Sequence, residues 1–450
     1  MFDLVWRGGA GGVQEVVEME VKQEAIEVDI EQKEQEVTQY VGGGGESSPM
    51  ADGTPRVVFV DTVPTNSIDG QRAVWISQIE MGDTSLASAF QYEYIFVGDW
   101  SKDSVVVQAV EEVGGIPKFV MGQLVDSDED AEVINQMFKR VKKFEELKDE
   151  ILIEAFGGLC EAVRGGNVGV VMMHQELRNI HDHYVVELMR ICGCKRVVVE
   201  LPLMPTKIVL SVSPDLFVAP SDFVRREYRR LGGKGIVEVV NPGVEIVADG
   251  SEVGEVRKRG SGKIVQIAAV MRLDPDKNPL LLLKGLSHVA NVCERVNVKV
   301  AGDGKLREDL SKAANSLGLT CVEFLGPQNK TEVDELLKTS EIFVNPSTYN
   351  LQTWGIANLE AMARGLAVIA FNVGGTADYL LNDMNCVVPN FSGEGIGEAI
   401  ELLLIDTTLR TRLGRAARAT AKGHSATRMR ERYQYIYTRR RRGVKMMEES

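Results

Sequence analysis

The sequence predicts an α/β chain built as two facing, doubly wound Rossmann-like domains with a cleft between them. Three observations carry that expectation. Apolar runs of strand length recur without polar alternation, as strands buried on both faces require. Helical patterns lie between most of them, the mark of parallel strands joined by crossover helices. The alternation runs twice, on either side of a charged, glycine-containing stretch at 249–262, and 450 residues are enough for two such units and an extension.

Residues 1–55 do not share that texture. Positions 15–36 hold nine acidic residues against two lysines, and four glycines at 42–45 lead into Glu-Ser-Ser-Pro. The segment reads as a poorly ordered acidic extension with a flexible linker. The first domain, 56–245, starts at the buried strand Val57, Val58, Phe59, Val60 and ends it at Asp61. Further strands are expected at 94–97, 116–120, 169–173, 196–200, 216–219 and 237–241, with helices at 73–81, 130–156 and 181–192. In the second domain, 246–437, strands are expected at 263–268, 297–301, 322–325, 342–344, 367–370 and 385–388. Helices are expected at 279–292, 306–317, 330–339, 355–364, 375–381 and 396–405, and a last one runs toward Tyr437. Residues 438–450 form a basic tail.

Composition excludes several classes. A formal charge of -14 argues against a general nucleic-acid binder, which needs a broad basic surface. No apolar run approaches the ~18–20 residues of a membrane span. The N-terminus lacks a basic start followed by an apolar stretch, so no secretory signal is expected and the chain reads as cytoplasmic. The cluster Arg439 to Arg442 is either an exposed tail or a peripheral contact with an anionic membrane face. Six scattered cysteines read as reduced thiols rather than a disulfide framework. Cys192 and Cys194, near His181 and His183, make a poor zinc knuckle. Asp-x-Asp occurs at 126–128, 128–130 and 274–276, but the first two lie in an acidic surface run, and no metal is expected.

Four segments fall at the ends of second-domain strands. In 271–279, Arg272 and Lys277 project from a loop that leads into a helix at Pro279. Two cations beside a helix N-terminus make a diphosphate clamp, Arg forking two oxygens and Lys adding a compact charge. The alternative is a solvated loop with a salt bridge to Asp274 or Asp276. In 300–304, Gly302 and Gly304 let a nucleotide approach the backbone, although any turn needs glycine. In 345–365, Gly355 opens a helix whose free N–H groups suit phosphate or sugar oxygens, and Glu360 can accept both hydroxyls of a ribose. Alone, Glu360 is equally a buried cap or an ion-pair partner. The fourth, 372–378, is another strand, glycine pair and helix start. The order and spacing of these segments are more specific than any one of them.

On those residues the second domain resembles the donor-binding half of GT-B retaining glycosyltransferases, in particular the family 4-like group, glycosyl transferases group 1. The matching pieces are MRLDPDK at 271–277, AGDGKL at 301–306, QTWGIANLEAMARG at 352–365 and VGGTADYL at 373–380. In the first domain, DLFVAPSDFVRREY at 215–228 and VVNPGV at 239–244 resemble the family's crossing between domains, and Gly70 resembles one member of its first glycine loop. His174 matches a position where the family places a histidine near the reacting sugar.

The resemblance implies a nucleotide-diphosphate sugar as donor and an acceptor that is a glycan, lipid or small molecule, with no cofactor. Arg272 and Lys277 would hold the diphosphate and Glu360 the ribose. Gly355 and Ile356 would offer backbone N–H groups, Gly302 would line the nucleotide, and His174 would face the transferred sugar. One departure matters. The first glutamate of the family's Glu-x7-Glu is Gln352, which keeps the shape but not the charge, and Leu351 and Trp354 replace a smaller residue and Phe. The implied activity is therefore retaining hexosyl transfer. A nucleotide-sugar-binding or scaffold protein is the alternative, and an epimerase or hydrolase of the same architecture is a weaker one. A nicotinamide dehydrogenase is excluded, because no Gly-x-Gly-x-x-Gly opens a helix after the first strand.

Overall fold

In the computed structural model the described residues are 56–61, 91–97, 100–101, 108, 110, 117–120, 124–125, 168–172, 186, 189, 194–201, 204–205, 209–210, 212–246 and 264–438. They build two parallel sheets. The first has seven strands: β1 (Arg56–Asp61), β2 (Gln91–Val97), β4 (Pro117–Val120), β6 (Val168–Met172), β7 (Val197–Glu200), β8 (Leu216–Ala219) and β9 (Val237–Val239). Their order is β4-β2-β1-β6-β7-β8-β9, and two short strands, β3 (Trp100–Ser101) and β5 (Leu124–Val125), pair separately. The second sheet has five strands: β10 (Val265–Val270), β11 (Val296–Ala301), β12 (Val322–Gly326), β13 (Ile342–Asn345) and β14 (Ala367–Ala370), in the order β12-β11-β10-β13-β14.

The apolar runs behave as their composition demands. Every residue of β7, β8, β13 and β14 is buried, because helices or loops cover both faces of a parallel sheet. The edge strand β12 instead exposes Glu323, a charge that discourages pairing with another chain. Around the second sheet run α2 (Leu280–Ser287), α3 (Val292–Arg295), α4 (Arg307–Ser316), α5 (Lys330–Lys338), α6 (Ile356–Ala363), α7 (Gly393–Ile405) and α8 (Thr407–Gly423), while α1 (Asp222–Arg230) follows β8 and the last helix, α9 (Ala426–Thr438), lies against the crossing and the first sheet. Several starts are written in the sequence. Ser221 accepts from the Val224 N–H on α1, Asn329 and Glu332 form a reciprocal capping box on α5, and Ser392 and Asp406 cap α7 and α8.

Four expected elements differ. The helix predicted over 279–292 stops at Ser287, and Asn291 takes a left-handed conformation (φ 49°) before the single turn of α3. The helix predicted over 375–381 is a 3-10 turn, Gly374–Asp378: two glycines weaken an α-helix and the Thr376 hydroxyl bonds the Val373 backbone on both sides. The strand predicted over 385–388 is reduced to a bridge from Val387 to Ile369, since the Asn385 side chain bonds Leu381 N–H and Tyr379 C=O and turns the chain. The strand predicted at 263–268 lies two residues later, so the following loop begins at Met271.

The order of the second sheet reverses direction between β10 and β13, its topological switch point. In an open α/β sheet ligands bind beyond the carboxyl ends of the strands at that place. In the first sheet the switch point lies between β1 and β6. The chain crosses between the sheets at 240–246 and returns through α9. Arg432 there pairs with Glu238, Arg430 with Glu245, and the Ile436 carbonyl accepts from Arg196.

Candidate functional site

Two loops meet at the switch point of the second sheet. The loop after β10, 271–279, is fastened to the turn after β11: Leu273 N–H donates to Asp303 C=O at 2.8 Å, Leu306 N–H to Leu273 C=O at 2.9 Å, and Lys305 N–H to the Asp274 carboxylate at 3.1 Å. Gly302 makes that approach possible. Its φ is 130°, and a Cβ there would lie 1.9 Å from the Met271 carbonyl oxygen. Gly302 thus shapes the loop that carries the cations.

Within that loop Arg272 is exposed and pairs with both Asp274 and Asp276, at 2.8 Å for the latter. Lys277 is more enclosed, lies 3.5 Å from Asp276, and its ammonium stands 5.8 Å from the centre of the Tyr349 ring. Burial pulls the Lys277 pKa below the usual lysine value and Arg272 adds to this, while Asp276 opposes it. The salt bridges to Asp274 and Asp276 are thus present, and both cations are partly neutralised by carboxylates of their own loop. Asp274-Pro-Asp276 is occupied in holding Arg272.

The loop after β13, 346–355, contains no ion pair among the described residues. It is held by neutral groups. Asn345 donates to the Asn358 carbonyl at 2.7 Å and accepts from Ser347 N–H at 3.1 Å; Asn358 in turn donates to the Tyr379 hydroxyl at 3.3 Å. That hydroxyl reaches the carbonyls of Trp354 and Gly355 at 3.1 and 2.9 Å. Trp354 lies tilted against Tyr379 and edge-on to His424, with ring centres 4.9 and 5.2 Å apart, and its indole N–H donates 3.0 Å to the Pro242 carbonyl in the crossing segment. Gly355 takes φ 80° and opens α6. Gly375 backs the loop: its N–H donates 2.7 Å to the Gln352 carbonyl, and a Cβ on it would meet Thr353 O at 1.8 Å.

Gln352 is 9% exposed, and its side-chain amide makes no hydrogen bond among the described residues. The amide nitrogen packs so tightly against Gly355 that a Cβ there would lie 2.2 Å from it. Glu360, on α6, is half-buried and its carboxylate likewise accepts no hydrogen bond among the described residues. Burial pushes its pKa above the ordinary carboxylate value, with Lys330 and Arg364 pulling the other way. Arg364 itself is committed to Asp334 and to the Glu245 carbonyl. Contacts join the two loops: Asn278 to Thr348 at 3.4 Å and Ser347 to the Asp276 carbonyl at 3.4 Å.

The structure thus gathers Arg272, Lys277, Gly302, Gln352, Gly355, Ile356 and Glu360 on loops and a helix at one end of one sheet. Gly70 and His174, like residues 1–55, the acidic run at 126–130 and the tail from 439, lie outside the described residues. Sequence reasoning passed over Asp378. Its carboxylate accepts from the N–H groups of Asp222 and Phe223 at 2.7 and 3.2 Å and from Arg226 at 3.2 Å, so the glycine turn of the second sheet caps α1 of the first. The Gly-Gly-x-x-Asp spacing was visible, but its partner across the junction was not. The Asn345–Asn358–Tyr379 network had no sequence signal, because these positions follow no period. Among the described residues no group of three or more His, Cys, Asp or Glu is placed to hold a metal, and no helix is long and apolar enough to cross a membrane.

Comparison with known proteins bears on the family and the fold. Residues 257–420 match the family described as glycosyl transferases group 1. The chain is 30% identical over 205 residues to a D-inositol 3-phosphate glycosyltransferase of Salinispora arenicola, covering 41% of this chain and 45% of that one. It is 27% identical over 216 residues to a GDP-mannose-dependent alpha-(1-6)-phosphatidylinositol monomannoside mannosyltransferase of Mycobacterium tuberculosis, covering 45% and 56%. The chain spans about half the length of these relatives. Two solved structures share its two-domain GT-B fold. Anabaena HepE in complex with UDP and glucose superposes with a TM-score of 0.63 at 14% identity, over 85% of this chain and 99% of that one. Sucrose-phosphate synthase from Thermosynechococcus elongatus gives 0.62 at 15%, over 85% and 98%.

Proposed function

We propose that this chain, whose second domain belongs to the glycosyl transferases group 1 family, moves a hexosyl group from a nucleotide-diphosphate sugar to an acceptor with retention at the anomeric carbon. One observation carries the reading. The buried Gln352 and the half-buried Glu360, whose side chains make no hydrogen bond among the described residues, flank the start of α6, while Arg272 and Lys277 lie on the adjoining loop. That places groups able to bond hydroxyls at one end and positive charge at the other. The solved neighbours in complex with UDP support a nucleoside diphosphate in that role.

In this reading Arg272, Lys277 and the N–H groups of Gly355 and Ile356 stabilise the leaving diphosphate, so the charge that develops is met without a metal. Glu360 accepts the ribose hydroxyls and Gln352 a sugar hydroxyl, with His174 on the acceptor side. The bond from the anomeric carbon to the diphosphate breaks as the acceptor oxygen bonds the same face. The acceptor proton passes to the departing diphosphate. Replacing a charged by a neutral hydrogen bond at Gln352 lowers transition-state stabilisation by about 1–2 kcal/mol, which slows transfer without abolishing it. The acceptor is a glycan, lipid or small molecule, and the reaction runs in the cytoplasm.

The test is a donor screen by calorimetry and product release on the wild type and Lys277→Ala. Transfer predicts one nucleotide sugar that binds, loses affinity in the variant, and yields free nucleoside diphosphate only with acceptor. Gln352 favours one second reading, a nucleotide-sugar-binding protein. It predicts the same binding with no consumption over a broad acceptor panel. No nucleotide binding at all would remove the site assignment.

A further inference from the structure

Away from the switch point, two thiols meet at the edge of the second sheet. Cys293 sits on α3 and Cys321 directly precedes the edge strand β12. Both are partly exposed, whereas Cys194 and Cys386 are buried. Their sulfurs lie 2.7 Å apart, and the Cys321 N–H points at the Cys293 sulfur at 3.3 Å. The two are unequal in acidity. Burial opposes ionisation of Cys293, but hydrogen bonds from Cys321 and Thr320 outweigh it and hold this thiol below its ordinary value. Burial and the neighbouring sulfur push Cys321 up to about 12. An accessible, acidic thiol beside a protonated one is the arrangement of an attacking and a resolving cysteine.

We propose that Cys293 and Cys321 are a redox-active dithiol that closes to an intramolecular disulfide on exposure to hydrogen peroxide. The Cys293 thiolate attacks one peroxide oxygen; an S–O bond forms, the O–O bond breaks, and the other oxygen leaves as hydroxide that is protonated to water. Cys321 then gives up its proton and attacks the Cys293 sulfur; the S–S bond forms, the S–O bond breaks, and a second water leaves. Two electrons pass from the sulfurs to the peroxide, and a dithiol reductant reverses the step. The bond closes a loop that contains β11, the Gly302 turn and α4, so oxidation staples the support of the 271–279 loop without touching the donor residues. Closing a loop of that length stabilises the fold chiefly by constraining the unfolded chain.

The experiment uses the full chain, reduced and then treated with hydrogen peroxide, alkylated and digested with trypsin without reductant. The expected product joins peptide 285–295 to peptide 313–330 at two hydrogens below the summed mass. Cys321→Ser is expected to stop at the Cys293 sulfenic acid, captured as a dimedone adduct. Oxidation is expected to raise the thermal midpoint by several degrees, a rise that Cys293→Ser abolishes. Recovery of both peptides as separate alkylated thiols after peroxide overturns the proposal, as does Cys293 joined to any other cysteine.

Discussion

The loops after β10 and β13 lie side by side at the switch point, and each is pressed against a glycine that has no room for a side chain: Gly302 behind Met271, Gly375 behind Thr353. Their chemistry then diverges. The first holds Arg272 and Lys277 in ion pairs with its own Asp274 and Asp276. The second is neutral and knitted by the Asn345–Asn358–Tyr379 bonds beneath Trp354. A ligand anion must therefore compete with carboxylates on one side, which makes that side sensitive to charge and salt. On the other side the bonds are already made, and the Gln352 amide is left over, the group that the proposed function assigns to a sugar hydroxyl.

The shared feature is the costliest to disturb. Gly302→Ala forces a Cβ onto the Met271 carbonyl at a positive φ, and Gly375→Ala forces one onto Thr353 O. Each is expected to destabilise the fold by about 3 kcal/mol, read as a drop of several degrees or more in thermal midpoint. If either variant melts with the wild type, that glycine does not brace its loop and the parallel between the two loops fails.

The next test moves charge into the neutral loop. Gln352→Glu is expected to raise turnover about ten-fold through a charged hydrogen bond to the sugar, while affinity for the nucleoside diphosphate alone stays level. An equal change in both quantities would mean that residue 352 acts on the diphosphate, and the division of labour would collapse.

Asp276→Asn sharpens the other half by releasing Arg272 and Lys277 from a shared carboxylate. Calorimetry at neutral pH is expected to show several-fold tighter nucleoside diphosphate binding with steeper salt dependence. The sign reverses at high pH. Asp276 holds the Lys277 pKa up against burial, so its removal lowers that pKa further, and the binding ammonium is lost at a lower pH as pH rises. A variant whose affinity falls at neutral pH would show that Asp276 positions the cations rather than screening them.

These tests fall on residues that differed in how readily they could be read. The strands announced themselves as unalternating apolar runs, and the cations, glycines and Glu360 stood in spaced motifs, so the residues that the fold gathers beyond β10 and β13 could be named from the sequence. Gly302 was read for its room beside a nucleotide; its close packing on Met271 is a further role that spacing alone does not carry. Asp378 and Trp354 act on partners 156 and 112 positions away in the chain, and no local pattern encodes such a pair. The 375–381 helix failed because Thr376 found backbone partners that a propensity argument ignores.

The smallest expected effect belongs to Trp354→Phe, which asks whether the neutral loop is coupled to the crossing between the sheets. Phe retains a ring beside Tyr379 and His424 but removes the indole N–H that meets the Pro242 carbonyl and part of the packing of a core ring. Pro242 is only half-buried, so water can replace part of the lost bond, and the cost falls at the low end for a hydrogen bond, about 0.5–1 kcal/mol. Thermal melting should therefore shift by a few degrees at most. Coupling makes a second, separable claim: small-angle scattering of the variant should show a broader spread of interdomain arrangements, while Asp276→Asn, which changes only the charged loop, should scatter like the wild type. If Trp354→Phe melts slightly lower and scatters unchanged, the indole bond is local cement, and Asp378 on α1 alone carries the link between the donor turn and the first sheet.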